Sequence, residues 1–435
     1  MAVLVVSEYG QITCGEKFKP ENRVVTESQH RALEKFSEEY KRRFKVTVFR
    51  HGPKRSLFAQ NYVGVISLGQ HQVEILPKID KDLKLGDDVS QVRHNLARMI
   101  SVAFDLDIYG DEESNVARHD DSILEIFIRL FCKKLWQCVR RGMVRRYVGC
   151  RENLPTLRGR LSITDQIRHN LARPDRLACI FDEFSDNNAL NQALKAALRI
   201  LIKAARSQRN LRDISELMFC FQDVDDVPPN AIDWVQAGTN RLSARYKPVL
   251  ALARMFIERQ SPDVVSGNGN GFSLLFDMNQ LFELYVGAMA KRAFSRDDLK
   301  VSLQGPIRHL AHNSGGGLAF KLKPDIVAST QHGVAFIIDT KWKRLDEQFH
   351  RDGVSSGDMY QMFAYAKQYA APKVFLLYPH HDKLGERQSR RAEYKLNMTE
   401  MNGMDQKICI SSVDLRDLNT VKQQLRDLIS FSVTT

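Results

Sequence analysis

The sequence has no uninterrupted apolar run of the roughly 18 residues that a membrane helix needs. Its opening, MAVLVVSEYGQITCGE, lacks the basic n-region of a secretory signal and reads as a strand, so a cytoplasmic protein without a membrane partner is expected. Cysteine is sparse: Cys14, Cys132, Cys138, Cys150, Cys179, Cys220 and Cys409 are scattered, odd in number and never spaced CxxC. That pattern indicates neither a zinc site nor a disulfide framework, and buried thiols are expected. A GxxxxGK[ST] loop is missing, so nucleotide hydrolysis in the P-loop manner is not expected. No internal repeat appears at the periods of solenoids or propellers.

What is there begins with size. A chain of 435 residues, 43% apolar and 27% charged, is a soluble globular protein of two or three domains. The net charge of +12 is concentrated: between Arg129 and Arg176 thirteen Lys or Arg face only Glu152, Asp165 and Asp175, a local excess of +10. Such a stretch suits a polyanion, because neutralising phosphates releases counterions. Arg140, Arg141, Arg145, Arg146, Arg158 and Arg160 are therefore expected to bind the backbone of double-stranded DNA, against the plainer reading of a solvated charged face.

Along the chain the hydrophobic period changes twice. Short alternating runs (VLVVSEY, KVTVFR, YVGVISL, QVEILPK) surround one helical segment near 28–43, giving a small β-rich N-terminal domain over 1–120. From 89 onward apolar residues recur at spacings of three and four, and a helical, basic middle region is expected over 121–265. The Gly/Asn/Ser segment SGNGNG near 266 reads as a linker. After it, helices alternate with strands, so residues 272–435 form an α/β domain and the whole is a multidomain α+β protein.

One stretch of that last domain carries chemistry. KLKPDIVASTQHGVAFIIDTKWK, residues 321–343, reads as a hairpin turning at Gln331, His332 and Gly333, yet it holds Asp325, Asp339 and Lys341. Buried charges cost several kcal/mol unless paired or bound to metal. Alternation points Asp339 and Lys341 one way and Thr340 the other, and Asp325 on the partner strand can face the same pocket. Two carboxylates held close repel, and a Mg²⁺ ion, which prefers oxygen ligands, relieves that repulsion. Asp325 and Asp339 are thus the expected metal ligands. Lys341 is expected to stabilise negative charge on a reacting phosphodiester.

PDIV and DTK, with thirteen residues between Asp325 and Asp339, resemble the PD-(D/E)xK nuclease motif. Glu283 in LFELYV is similar to the helical glutamate of that superfamily, and Gln361 and Tyr365 in QMFAY resemble the QxxxY element of its RecB-like branch. NYVGVISLGQHQVEILPKID, LPTLRGRLSI, LFELYV and IIDTKWK, in that order, resemble McrC, the nuclease subunit of McrBC-type modification-dependent restriction systems. The resemblance covers nearly the whole chain. It implies a Mg²⁺-dependent endonuclease that cleaves methylcytosine-containing DNA. It also implies work with McrB, an AAA+ GTPase ring stimulated by its nuclease subunit, and fits the missing P-loop. Residues 1–120 are then expected to dock on the ring. Because one such site cuts one strand, a second copy of the complex is expected for double-strand breaks.

Two other readings stay open: a self-sufficient restriction or repair nuclease, and a non-catalytic adaptor of an NTPase ring. Several residues are read plainly. His380, His381 and Asp382 in YPHHD are expected in a solvated loop, Trp342 in core packing, and the glycines of NSGGG in a turn.

Overall fold

The computed structural model describes residues 3–68, 71–78, 87–106, 121–238, 245–258, 272–295, 298–346, 353–384, 390–396 and 405–430. The chain forms two compact units, one of residues 1–123 together with 261–435, the other of residues 124–260. The SGNGNG segment lies outside the described residues. Among the described residues no helix is long and apolar enough to cross a membrane.

In the first unit, the helix Glu27–Phe44 starts where Thr26 and Gln29 exchange side-chain and backbone hydrogen bonds, a reciprocal cap that satisfies two otherwise unpaired N–H groups. Its Leu33 and Phe36 pack with Leu4, Ile12, Leu57 and Ile75 into one apolar core. Two four-stranded sheets supply the strands of this region. One runs Val3–Ser7, His71–Leu76, Tyr62–Leu68, Ser273–Asp277, with the first pair parallel. Its fourth strand comes from beyond residue 272, so the stretch assigned by sequence to the C-terminal domain begins inside the N-terminal sheet. Asp277 ends that strand and caps the helix Met278–Phe294, accepting from Asn279 N at 2.8 Å and Gln280 N at 3.4 Å.

The C-terminal part centres on a six-stranded sheet ordered Lys300–Leu303, Ile326–Thr330, Gly333–Thr340, Lys373–Pro379, Lys407–Val413, Arg390–Lys395. Gly333–Thr340, Lys373–Pro379 and Lys407–Val413 run parallel. The helix Ser356–Gln368 makes the crossover between the first two, as parallel neighbours require. The expected hairpin is present: Ile326–Thr330 pairs antiparallel with Gly333–Thr340, and Gly333 takes φ +137° at its turn. NSGGG also makes a turn, closed by Asn313 Oδ1 accepting from Gly315 N and Gly317 N.

The second unit is not purely helical. Between the helices Ile123–Arg140 and Ala189–Ala204 lies a three-stranded antiparallel sheet of Arg146–Leu154, Leu177–Ser185 and Arg160–Leu161, with Leu177–Ser185 in the middle. RYVGCRENL mixes apolar and charged residues on both of its faces and buries none of them fully, so apolar alternation does not announce this strand.

Candidate active site

The hairpin register sets Ile326 opposite Ile338, which leaves Asp325 just before one strand and Asp339 near the end of the other. Asp339 is 1% exposed, and its Oδ2 lies 2.6 Å from Lys341 Nζ, its ion-pair partner. Asp325 Oδ2 accepts from Thr340 N and from Thr340 Oγ1, both at 2.7 Å. Alternation had sent Thr340 to the far face. It reaches Asp325 because the pairing of the two strands has already ended there.

The electrostatics follow from burial. Asp339 is pushed up to about 7, first by burial and then by the negative charge of Asp325, with Lys341 opposing. Asp325 is also raised by burial, held back by its Thr340 hydrogen bonds and by the Lys341 and Lys323 ammonium groups. Burial lowers Lys341, but Asp339, Asp325 and Asp358 outweigh it, and the net shift is upward. Two carboxylates pressed toward neutrality beside one ammonium form a site short of positive charge. The buried carboxylate of Asp339 and its repulsion from Asp325 fit a hard divalent cation such as Mg²⁺, which binds through one or two carboxylates and keeps several waters. Among the described residues no group of three or more His, Cys, Asp or Glu side chains forms a metal cluster.

The flanking elements converge on the same place. Gln361 Nε2 donates to Tyr365 Oη at 2.8 Å, and Tyr365 Oη donates to Lys323 O at 3.2 Å, tying the Ser356–Gln368 helix to the residue two before Asp325. Burial, then the charge of Asp339, holds the Tyr365 phenol above its ordinary value. Glu283 accepts from Gln304 Nε2 at 2.8 Å, while Lys323 Nζ donates to Gln304 Oε1 at 2.7 Å. Its carboxyl is raised by burial and by Asp325, so it belongs to the same electrostatic field. Sequence reading missed Thr340, Gln304 and Lys323. Lys323 carried a signal, being two residues before Asp325.

Other expected residues stand elsewhere. Arg140, Arg141, Arg145, Arg146, Arg158 and Arg160 all lie in the second unit. Arg145 makes a two-pronged ion pair with Asp186 at 3.0 and 3.1 Å, Arg146 donates to Gln236 O at 2.5 Å, and Arg158 reaches Glu183 Oε1 at 3.4 Å. The solvated loop expected at YPHHD is corrected: His380 and His381 are buried, bonded to Ser412 Oγ and Leu345 O. They satisfy backbone and side-chain partners of the sheet end.

Comparison with known proteins identifies the family. A family model described as McrBC 5-methylcytosine restriction system component matches residues 57–379. The type IV methyl-directed restriction enzyme EcoKMcrBC of Escherichia coli (strain K12) is 21% identical over 333 residues, which are 71% of this chain and 88% of that protein. A chain from the half-complex of the tetradecameric assembly of Thermococcus gammatolerans McrB AAA+ hexamers with bound McrC shares the fold. Its TM-score is 0.71 at 19% identity, covering 99% of this chain and 100% of that one. The matched span contains Glu283, Asp325, Asp339, Lys341, Gln361 and Tyr365, and this chain belongs to the McrBC 5-methylcytosine restriction system component family, on the McrC side of it.

Proposed function

We propose that the chain is the Mg²⁺-dependent DNA endonuclease subunit of an NTP-driven restriction complex that cleaves methylcytosine-containing DNA. The observation that carries this reading is the convergence of Asp325, Asp339 and Lys341 on one hairpin end. Asp325 and Asp339 would hold the ion, which when bound supplies Lewis-acid polarisation of a phosphodiester and a lowered pKa for a bound water. Thr340 fixes Asp325, so one of its oxygens is committed to the scaffold. Lys341 keeps its proton and offers positive charge where the phosphorane develops. Gln361 and Tyr365 hold the backbone at Lys323 and so fix the approach to Asp325. Glu283, on a rigid helix, keeps Gln304 and Lys323 in line.

The proposed partner is a McrB-like AAA+ GTPase ring, stimulated by this chain, with two copies of the complex meeting to break both strands; the likeness to a chain from an assembly of McrB AAA+ hexamers with bound McrC supports it. The arginines of the second unit would track phosphates, with Arg145 and Arg158 first giving up Asp186 and Glu183. A second reading of the docking surface has an observation in its favour. The second unit exposes large apolar side chains, Leu171 at 81%, Tyr147 at 75% and Ile163 at 69%, beyond the 54% of Tyr9 and 37% of Phe44 among the described N-terminal residues.

The test is purified chain with methylated DNA and Mg²⁺, with and without the ring and its nucleotide. Cleavage only in the complete mixture supports the proposal, cleavage by the chain alone supports a self-sufficient nuclease, and none under any condition leaves an adaptor. Asp325→Ala, Asp339→Ala and Lys341→Ala should each lower cleavage by about 10²-fold or more while ring binding persists. Normal cutting by a clean Asp339→Ala preparation would sink the assignment.

A further inference from the structure

Alternation continues past the end of the catalytic strand. Lys341 pairs with Asp339 and Lys343 Nζ donates to Asp358 Oδ2 at 3.1 Å, whereas Trp342 and Arg344 turn to the N-terminal sheet. Trp342 Nε1 donates to Glu8 Oε2 at 3.0 Å and to Oε1 at 3.2 Å. Arg344 donates through Nη2 and Nε to Lys78 O at 2.9 and 3.2 Å. Glu8 is 1% exposed and also accepts from Lys78 N at 3.1 Å. Both receiving residues sit at the ends of paired strands: Ser7 lies opposite Leu76, and Glu8 N donates to Leu76 O at 2.9 Å. They are therefore anchored by a ladder and cannot follow a moving side chain at low cost. The Trp342 ring packs 5.3 Å from that of Phe282, the neighbour of Glu283. A cavity of ≈ 370 Å³, lined by Glu8, Tyr9, Lys78, Trp342, Arg344 and Pro379 among others, leaves this junction room to shift if its hydrogen bonds are lost.

We propose that Glu8 is a positioning residue of the nuclease site: its carboxyl holds the Trp342 indole and thereby fixes the backbone that presents Lys341. The N-terminal sheet then completes the active site, so the catalytic hairpin is not self-contained. The proposal rests on the nuclease reading. It explains a feature that this reading leaves aside, a buried acid 334 residues from its indole partner. A buried carboxyl is costly to fold, and an apolar side chain would fill the same corner without that cost. What an apolar residue cannot do is fix the orientation of an indole N–H. Burial pushes Glu8 up to about 7; Asp277 adds to that, while the Lys78 N–H, Trp342 and Arg344 oppose it, and Tyr9 lies beside it. Either protonation state keeps an oxygen that can accept from Trp342.

The test uses full-length chain in the complete cleaving mixture and reads the single-turnover cleavage rate and DNA affinity separately. Trp342→Phe keeps a ring on Phe282 but removes the N–H, Glu8→Leu removes the acceptor, and Glu8→Gln preserves an amide oxygen for it. Misplacing Lys341 by a fraction of an ångström should slow Trp342→Phe and Glu8→Leu by about tenfold or more, with DNA affinity unchanged. The double variant should be no slower than either single one, because both break the same contact. Glu8→Gln should stay within about threefold of the parent, since it retains the acceptor. If Glu8→Leu does not fold, Trp342→Phe and Glu8→Gln still decide the matter. A parent chain that cuts beside a Trp342→Phe chain that cuts equally fast overturns the positioning role alone; a parent that never cuts overturns the nuclease reading beneath it.

Discussion

Ionising Asp339 in the folded chain works against both its burial and the neighbouring charge of Asp325. The sign of the consequence can be worked out. Its pKa rises from 3.8 in the ordinary carboxylate to about 7 in the fold, so between those values the native chain binds the proton that the unfolded chain has lost. Stability from this group is present below the unfolded value and is lost as pH rises through the folded one. Glu8, also raised to about 7, adds a slope of the same sign. In chelator, the unfolding midpoint should therefore fall from about pH 5 to pH 8, and Asp339→Asn should remove part of that fall, a difference on the order of a few kcal/mol. Mg²⁺ should stabilise the parent more at the upper end, where both carboxylates are free to bind it, and should do little for Asp339→Asn. Calorimetry across pH with chelator or Mg²⁺ makes the comparison. Equal slopes in the two chains would mean that Asp339 is not the buried acid described here.

At the scale of elements, the Tyr62–Leu68 strand meets the Ser273–Asp277 strand at a single glycine that tolerates no replacement. Gly64 takes φ +132°, and a Cβ there would stand 1.9 Å from Leu274 O, a backbone atom that no rotamer change can move. Because Asp277 ends that second strand and caps the helix bearing Glu283, the strain would pass toward the candidate site. Gly64→Ala should cost about 1–3 kcal/mol or more in denaturant titration, and a parental midpoint would show that the strands do not approach as described. This pairing also marks where sequence stops being legible. The hairpin, its three charges and the Glu27–Phe44 helix were readable because alternation, a turn glycine and the Thr26 cap are local signals. The pairing of residues near 64 with those near 275, and of Glu8 with Trp342, joins positions far apart in the chain, and no local pattern announces it. The sheet of the second unit was missed for another reason. Its strands leave Tyr147 and Phe184 exposed and surround them with arginines, so neither alternation with a buried face nor a helical period stands out.

For the whole molecule, the proposed ring partner raises the question of which unit would meet it. Removing residues 1–80 would not answer it, because Tyr62–Leu68 pairs with Ser273–Asp277 and Glu8 holds Trp342, so the deletion would dismantle the first unit itself. Surface chemistry gives a cleaner handle. The short helix Ile163–His169 exposes Ile163 and Ile167, 69% and 60%, four residues apart on one face, and Leu171 follows it at 81%. Apolar side chains this exposed add little to the stability of their own unit, and exposed apolar patches are typical of surfaces that another protein covers. Arg145 and Arg158 of the same unit are already paired with Asp186 and Glu183, which weakens the alternative that this unit serves DNA alone. Changing Ile163, Ile167 and Leu171 together to Ser should leave the unfolding midpoint within about 0.5 kcal/mol of the parent, as exposed positions allow. It should also reduce ring binding and NTPase stimulation by about 5- to 150-fold, the range that typical coupling energies span. DNA affinity and its salt dependence should be unchanged, whereas neutralising Arg140, Arg141, Arg145 and Arg146 should flatten the salt dependence. If the triple serine chain stimulates the ring normally, docking returns to the N-terminal sheets, and the apolar face must be covered by something other than the ring.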